Sequence, residues 1–193
     1  SLGMVDMEGT HVANRARQYT DEVVAVDASL DGLGVSVPTK LSKRPKKIIH
    51  IDIDRSSISK SGKADVPIMG NVKNVLREFA CIWKKQELTF NEAALAKWWE
   101  ALEAWRSRDC LRIPEADGDI ILPQMVVRTL AEVTNNDAII TSDVGQHQMF
   151  AAQYYPFERP RQWLNSGGLG TMGVGLPYAM GAYLADPSKD VCC

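Results

Sequence analysis

Asp137-Ala138-Ile139-Ile140-Thr141-Ser142-Asp143-Val144-Gly145-Gln146-His147-Gln148 is the stretch on which the fold turns. Its first part, residues 137–141, reads as a buried β-strand. Residues 143–148 read as a strand-to-helix turn, and 148–155 as the helix beyond it. In open α/β sheets ligands bind outside the carboxyl ends of strands. Gly145 lets the chain turn tightly there. The N–H groups of Gln146 and His147 would then face a phosphate at the new helix start. A lone histidine is more often structural or solvated, so this turn by itself leaves both readings open.

Downstream, residues 161–164 predict a short strand. Next comes Ser166-Gly167-Gly168-Leu169-Gly170-Thr171-Met172-Gly173-Val174-Gly175-Leu176-Pro177, a glycine-rich loop that opens into a helix over 176–185. Glycines in that number permit positive φ and close approach to a ligand. A glycine loop entering a helix offers unpaired N–H groups to an anion or a polar ring. The loop fits neither the dinucleotide fingerprint nor the P-loop. Close packing of a small-residue helix on a sheet explains the glycines equally well. The closing Asp190-Val191-Cys192-Cys193 resembles the opening of another strand, so the chain is expected to be a truncated piece of a longer domain.

Upstream, the pattern alternates between strand and helix. Residues 10–19 predict a helix, with Val12, Ala13, Ala16 and Tyr19 at helical spacing. Residues 22–26 predict a strand, 27–41 a loop rich in Gly, Ser and Pro, 47–53 a buried strand and 66–69 a short one. Residues 72–83 predict a helix with Val72, Val75, Leu76, Phe79 and Ile82 on one face. Residues 91–108 predict another, holding Trp98, Trp99 and Trp105. Residues 123–134 predict a helix with Pro123 at its favoured first position. Strands alternating with helices indicate α/β architecture with doubly wound parallel sheets. The polar stretch 111–119, with Pro114 and Gly118, marks a domain boundary.

Composition narrows the function classes. The chain has 193 residues, 45% hydrophobic and 24% charged, with a formal net charge of -2. Both signs are spread along it, so nucleic acid is not an expected partner. The basic cluster Lys43, Arg44, Lys46 and Lys47 precedes an apolar run and reads as a solvated loop. No apolar stretch approaches a membrane span, and no signal peptide is visible at the start. Cys81, Cys110, Cys192 and Cys193 match no zinc spacing, and read as reduced thiols of a cytoplasmic protein.

Three segments together carry a resemblance. Asp143-Val144-Gly145-Gln146-His147-Gln148-Met149, then Pro160-Arg161-Gln162-Trp163-Leu164, then Ser166 through Pro177 strongly resemble the catalytic large subunits of acetolactate synthase (acetohydroxyacid synthase), a thiamine-diphosphate-dependent family. The glycine loop is shared more loosely by other thiamine-diphosphate decarboxylases and oxidases. The first two segments favour acetolactate synthase. Lys47-Ile48-Ile49-His50-Ile51-Asp52-Ile53-Asp54, Ile58-Ser59-Lys60 and Ala64-Asp65-Val66-Pro67-Ile68 resemble the second half of the family's central, FAD-binding domain. The resemblance implies that residues 1–88 are the C-terminal part of that central domain. Residues 89–118 would be a helical linker, and 119–193 the truncated N-terminal part of the thiamine-diphosphate-binding domain.

Carried over position by position, the resemblance implies that Gln146 and His147 contact the cofactor diphosphate through their backbone. Gly170, Thr171 and Met172 would surround the aminopyrimidine, with Met172 supporting a bent cofactor whose thiamine ring is the electron sink. Gly167 and Gly168 would lie close to a flavin. Asp52, Ile53 and Val72 would contact the FAD adenosine portion. No catalytic residue and no metal ligand is expected within this chain. The family's Mg²⁺ motif, a Gly-Asp-Gly followed later by Asn, would fall after Cys193, and the activating glutamate belongs to an N-terminal domain.

There are departures. Gly3-Met4-Val5-Asp6-Met7-Glu8-Gly9-Thr10 stands where the family has Gly-Met-His-Gly-Thr. Asp27-Ala28-Ser29-Leu30-Asp31-Gly32-Leu33 stands for Gly-Ala-Arg-Phe-Asp-Asp-Arg, so both arginines are lost and Asp27 replaces a glycine. Asn71 replaces an aspartate. A lost bidentate arginine and an added carboxylate are expected to weaken FAD binding. The resemblance implies condensation of two pyruvates, or of pyruvate and 2-oxobutyrate, with loss of CO2 in branched-chain amino-acid synthesis. Implied partners are 2-oxoacid substrates, further copies of the chain with sites between subunits, and a regulatory small subunit. One alternative is a related carboligase or decarboxylase of the glyoxylate carboligase or oxalyl-CoA decarboxylase type; the other is a non-catalytic truncated or degenerate fragment, and the isolated chain is itself expected to be inactive.

Overall fold

The computed structural model describes residues 2–5, 8–28, 47–60, 63–108, 110–115 and 117–193. Most of the loop expected over 27–41 and the basic residues Lys43, Arg44 and Lys46 lie outside the described residues. So do Asp6 and Met7. The chain divides into two compact units, His11–Arg108 and Ser1–Thr10 with Asp109–Cys193.

The His11–Arg108 unit runs α1 (His11–Tyr19), β1 (Glu22–Val26), β2 (Lys47–Asp52), β3 (Val66–Met69), α2 (Val72–Lys85) and α3 (Glu92–Arg106). The three strands form one parallel sheet in the order β1-β2-β3, with Ala25 opposite His50 and His50 opposite Pro67. β2 is central, so its run Ile48-Ile49-His50-Ile51 is apolar apart from one histidine. Ile51 and His50 are fully buried. Ile53, expected as the last strand residue, instead follows the strand and is exposed. α1 buries Val12, Ala13 and Ala16, three of the four residues whose spacing predicted it, while Tyr19 is exposed and stacks on Trp105 of α3. α3 anchors through Leu102, and its Trp98 meets Trp105 edge-on at 5.8 Å. α2 is two residues longer than predicted and buries no residue: Leu76, Phe79 and Ile82 stay exposed.

The second unit contains α4 (Pro123–Val133), β4 (Ile139–Thr141), α5 (Gln146–Tyr154), β5 (Trp163–Leu164), α6 (Gly175–Ala185) and β6 (Val191–Cys192). All three strands are parallel, in the order β5-β4-β6. The chain passes from β4 to β5 on one side, then crosses to β6 on the other. That reversal creates a switch point, and in open sheets it is the carboxyl-end crevice at a switch point that takes ligands. Ala131, Ala138, Ile140, Ala151 and Tyr155 form the core, with Phe157 and Trp163 packed against it. Tyr155 closes that core by bonding through its hydroxyl to the Thr134 hydroxyl and accepting from Ala138 N–H.

β4 is shorter than the expected 137–141. Asp137 pairs instead with Arg159 and with Lys189, whose Nζ lies 2.8 Å away. One carboxylate thus joins the segments that lead into all three strands. Gln162 is 3% exposed; its Oε1 accepts from Glu158 and Arg159 N–H, and its Nε2 donates to Asn136 O. α5 begins two residues earlier than predicted, directly after Gly145. Among the described residues no helix is long and apolar enough to cross a membrane.

Candidate functional site

The carboxyl end of β4 runs Thr141-Ser142-Asp143-Val144-Gly145 into α5. Gly145 has φ 154° and ψ -169°. That conformation is reached almost only by glycine. A Cβ there would lie 2.9 Å from His147 Cε1 and 3.0 Å from Nδ1, so the imidazole rests against the bare glycine. No side chain caps α5. The first-turn N–H groups of a helix lack intrahelical acceptors; here Gln148 N–H donates back to Gly145 O, and with no side-chain cap those of Gln146 and His147 remain available to an anion. Gln146 and His147 are the first two residues of this turn, and both are exposed.

The glycine loop closes over the same strand end. Gly167, Gly168 and Leu169 form one 3₁₀ turn, followed by Gly170 in the left-handed conformation at φ 58°. Asn165 Oδ1 accepts from Gly167 N–H at 2.7 Å, and Ser166 Oγ accepts from Thr171 N–H at 2.8 Å. The Gly170 N–H donates to Gly167 O. With the Gly170 and Thr171 N–H groups taken, these residues can offer a ring their carbonyls, the Met172 N–H, the Thr171 hydroxyl and the side chain of Met172, a residue 80% exposed. A Cβ on Gly170 or Gly173 would meet nothing within 4 Å, so this rim borders open space.

Beyond the loop, α6 seats its first residue on the strand ends. Thr141 Oγ1 donates to Gly175 O at 3.0 Å. A Cβ on Gly175 would sit 2.8 Å from Asp143 N and 3.2 Å from Cys193 Sγ. Only glycine lets α6 approach β4 and β6 this closely. The remaining tie is Asp143: Gly173 N–H lies 2.7 Å from both its carboxylate oxygens, and Val144 N–H donates to Oδ1 at 2.8 Å. These backbone donors, Val144 first, hold the Asp143 carboxyl below its ordinary pKa, with the nearby His147 adding to the effect. Nothing in the sequence around Asp143 announces this role, because its partner lies thirty positions away.

Gln146, His147, Gly170, Thr171 and Met172 thus share one strand-end region, along with Gly167 and Gly168. An uncapped helix start beside a loop of left-handed glycines fits a diphosphate joined to a polar ring. Asp52, Ile53 and Val72 belong to the other unit, at the carboxyl ends of β2 and β3. Asp52 is buried and its Oδ1 accepts from Asp54 N–H at 2.7 Å. In open α/β sheets an acid at a strand end is the group that meets ribose hydroxyls, but this carboxylate is buried and one of its oxygens is already taken. A diphosphate grip does not show among the described residues: Asn71 Oδ1 already accepts from Lys73 N–H and caps α2. Asp27, at the end of β1, is exposed and left-handed at φ 49°, which agrees with its standing in a glycine position. The described residues hold no group of three or more His, Cys, Asp or Glu able to bind a metal ion.

Comparison with known proteins accounts for both regions. Residues 1–79 match the family described as "Thiamine pyrophosphate enzyme, central domain", and residues 143–193 match "Thiamine pyrophosphate enzyme, C-terminal TPP binding domain". The chain is 44% identical over 193 residues to the acetolactate synthase large subunit of Buchnera aphidicola subsp. Schlechtendalia chinensis, covering 100% of this chain and 33% of that protein. It is 43% identical to the isozyme 3 large subunit of Escherichia coli (strain K12), with the same coverage. Against the acetolactate synthase of Mycobacterium bovis it is 42% identical over 99% of this chain and 31% of that protein. The chain therefore spans about a third of the length of the curated relatives it matches. It belongs to the thiamine pyrophosphate enzymes, matching their central and C-terminal TPP-binding domains, and is similar along its whole length to acetolactate synthase large subunits.

Proposed function

We propose that the protein carrying this chain is an acetolactate synthase, which joins two pyruvates, or pyruvate and 2-oxobutyrate, with release of CO2. Residues 1–88 serve as the C-terminal part of the central FAD-binding-like domain, 89–118 as a helical linker and 119–193 as the N-terminal part of the thiamine-diphosphate-binding domain. The observation that carries the reading is the uncapped start of α5 tied to the glycine loop, within the segment that matches the TPP-binding domain.

The backbone N–H groups of Gln146 and His147 hold the diphosphate. Gly170, Thr171 and Met172 border the aminopyrimidine, with the exposed Met172 side chain free to lie under the rings. Bound there, thiamine diphosphate supplies the electron sink that lets a 2-oxoacid lose CO2. Mg²⁺ would accompany the diphosphate on oxygen ligands. Asp52, Ile53 and Val72 border the adenosine of FAD, with Gly167 and Gly168 toward the flavin. We assign no catalytic side chain within these residues. The whole protein works on 2-oxoacids as a homo-oligomer in the cytoplasm, with a regulatory small subunit.

The glyoxylate carboligase and oxalyl-CoA decarboxylase readings are not favoured, since the matched relatives are named acetolactate synthases. The test is acetolactate formation from pyruvate by a protein of the relatives' length that carries this chain, with thiamine diphosphate, Mg²⁺ and FAD supplied. Product formation supports the reading, and its absence with the cofactors bound sinks it.

A further inference from the structure

We propose that Asp143 is the positioning residue that keeps the two halves of this cradle in register, the diphosphate-facing start of α5 and the pyrimidine-facing glycine loop. The inference rests on the thiamine diphosphate reading above.

Its carboxylate makes bonds in two directions. Toward the helix, Oδ1 accepts from Val144 N–H, inside the turn that ends at Gly145. Toward the loop, both oxygens meet Gly173 N–H at 2.7 Å. Gly173 follows Met172 directly and takes φ 83°, a value that only glycine holds without strain. A Cβ at Gly173 would meet no atom within 4 Å, so at Gly173 itself the carboxylate bond is the tie, beside the Thr141 bond and close packing that seat Gly175 two residues on. The other loop bonds, from Asn165 and Ser166, are local and leave the distance from the loop to α5 unset. A charged acceptor also makes shorter and stronger bonds to N–H than a neutral one. Asp143 itself comes just before the turn, and through these bonds it would set the geometry of groups that face the cofactor.

The test uses a protein of the relatives' length that carries this chain, with Asp143→Ala and Asp143→Asn, each confirmed as folded by its circular dichroism spectrum. Two readouts are followed: the amide proton shift and hydrogen exchange of Gly173, and calorimetric binding of thiamine diphosphate with Mg²⁺. The expected result is a downfield, protected Gly173 amide in the parent chain that loses both properties in Asp143→Ala. Asparagine keeps one acceptor oxygen and should restore part of them. Cofactor affinity should fall about 10- to 100-fold in the alanine variant, the range by which supporting partners commonly tune a site.

An unprotected Gly173 amide in the parent chain, or one unaltered by Asp143→Ala, overturns the proposal. So does a loosened loop with unchanged cofactor affinity, which would leave the thiamine diphosphate reading standing. If the parent chain binds no cofactor while Gly173 responds as expected, the clamp holds. That outcome would count against the cofactor reading of this chain instead.

Discussion

The two units place a parallel sheet against a helix start in different ways. In the Asp109–Cys193 part, β4 lies between β5 and β6, the chain reverses direction across the sheet, and α5 begins uncapped behind a glycine at φ 154°. In the His11–Arg108 unit the order is sequential, β1-β2-β3, and α2 begins behind Asn71, which caps it. A helix start that has already satisfied itself has less to give a phosphate. One helix start leaves the N–H groups of Gln146 and His147 uncapped. The other edge presents the acids Asp27 and Asp52 at its strand ends.

Substitution of the glycines should expose this contrast most sharply. Gly145→Ala forces a side chain into a conformation that costs about 1–3 kcal/mol. Its Cβ also displaces the His147 imidazole. Thiamine diphosphate affinity should fall by about 5- to 140-fold if that strain is expressed in the bound state, since each 1.4 kcal/mol is a factor of ten. The matching change at the other edge, Gly70→Ala, needs only a small shift of Val75 Cγ2 at 3.2 Å. It should leave cofactor affinity unchanged. Parallel calorimetric titrations check the pair, and equal losses would erase the distinction.

Acid should separate the two edges next. The Asp143 carboxyl is held below its ordinary value of 3.8 by Val144 and Gly173, and Asp54 below the same value by Ser56. A depressed acid favours the folded form above its unfolded pKa, and that contribution is lost as pH falls through the folded value. His147 is the charged neighbour on α5 and reinforces the carboxylate. Below pH 3.8, then, Asp143 should release a segment thirty positions away, whereas Asp54 releases only its own turn. Amide NMR shifts of Gly173 and Ser56, followed downward through the aspartate range, check this. A Gly173 amide indifferent to pH would break the comparison.

Much of this was legible in the sequence, and what was hidden has a common cause. β1 matches its expected bounds because its apolar run is local and complete. β2, β3 and α4 came within a residue or so for the same reason. α5 was placed late because the turn before it needs only one residue, Gly145, in a conformation that composition does not announce. β4 was read too long because Asp137 looks like strand, while Arg159 and Lys189 draw it into ion pairs. The strand orders depend on pairings between distant segments, as does the bond from Asp143 to Gly173. The helical stripe of α2 was read correctly, yet Leu76, Phe79 and Ile82 lie exposed, because periodicity marks a face and not what covers it.

The cap itself gives a smaller effect. Asn71→Ala removes the acceptor for Lys73 N–H and should cost about 1 kcal/mol, while Asn71→Asp keeps it. Thermal unfolding followed by circular dichroism reads the difference. An alanine variant as stable as the parent would mean that α2 does not depend on this cap, and the two helix starts would then be more alike than they look.

Asp27→Gly should be nearly silent in stability and informative in binding. Glycine relieves the left-handed conformation at φ 49°, but also adds freedom to the unfolded chain. Aspartate is among the residues that tolerate this conformation, so the two terms should nearly cancel, leaving a change within about 0.5 kcal/mol. The Asp27 N–H to Ile51 O bond is made by the backbone and survives. What changes is the charge at the carboxyl end of β1. If this edge takes FAD, removing a carboxylate should tighten the flavin, an effect that weakens with added salt because the side chain is exposed. Flavin fluorescence titration of the two chains at low and high salt measures it. An affinity that does not move, or that moves equally at both salts, would show that Asp27 does not act on the flavin through charge.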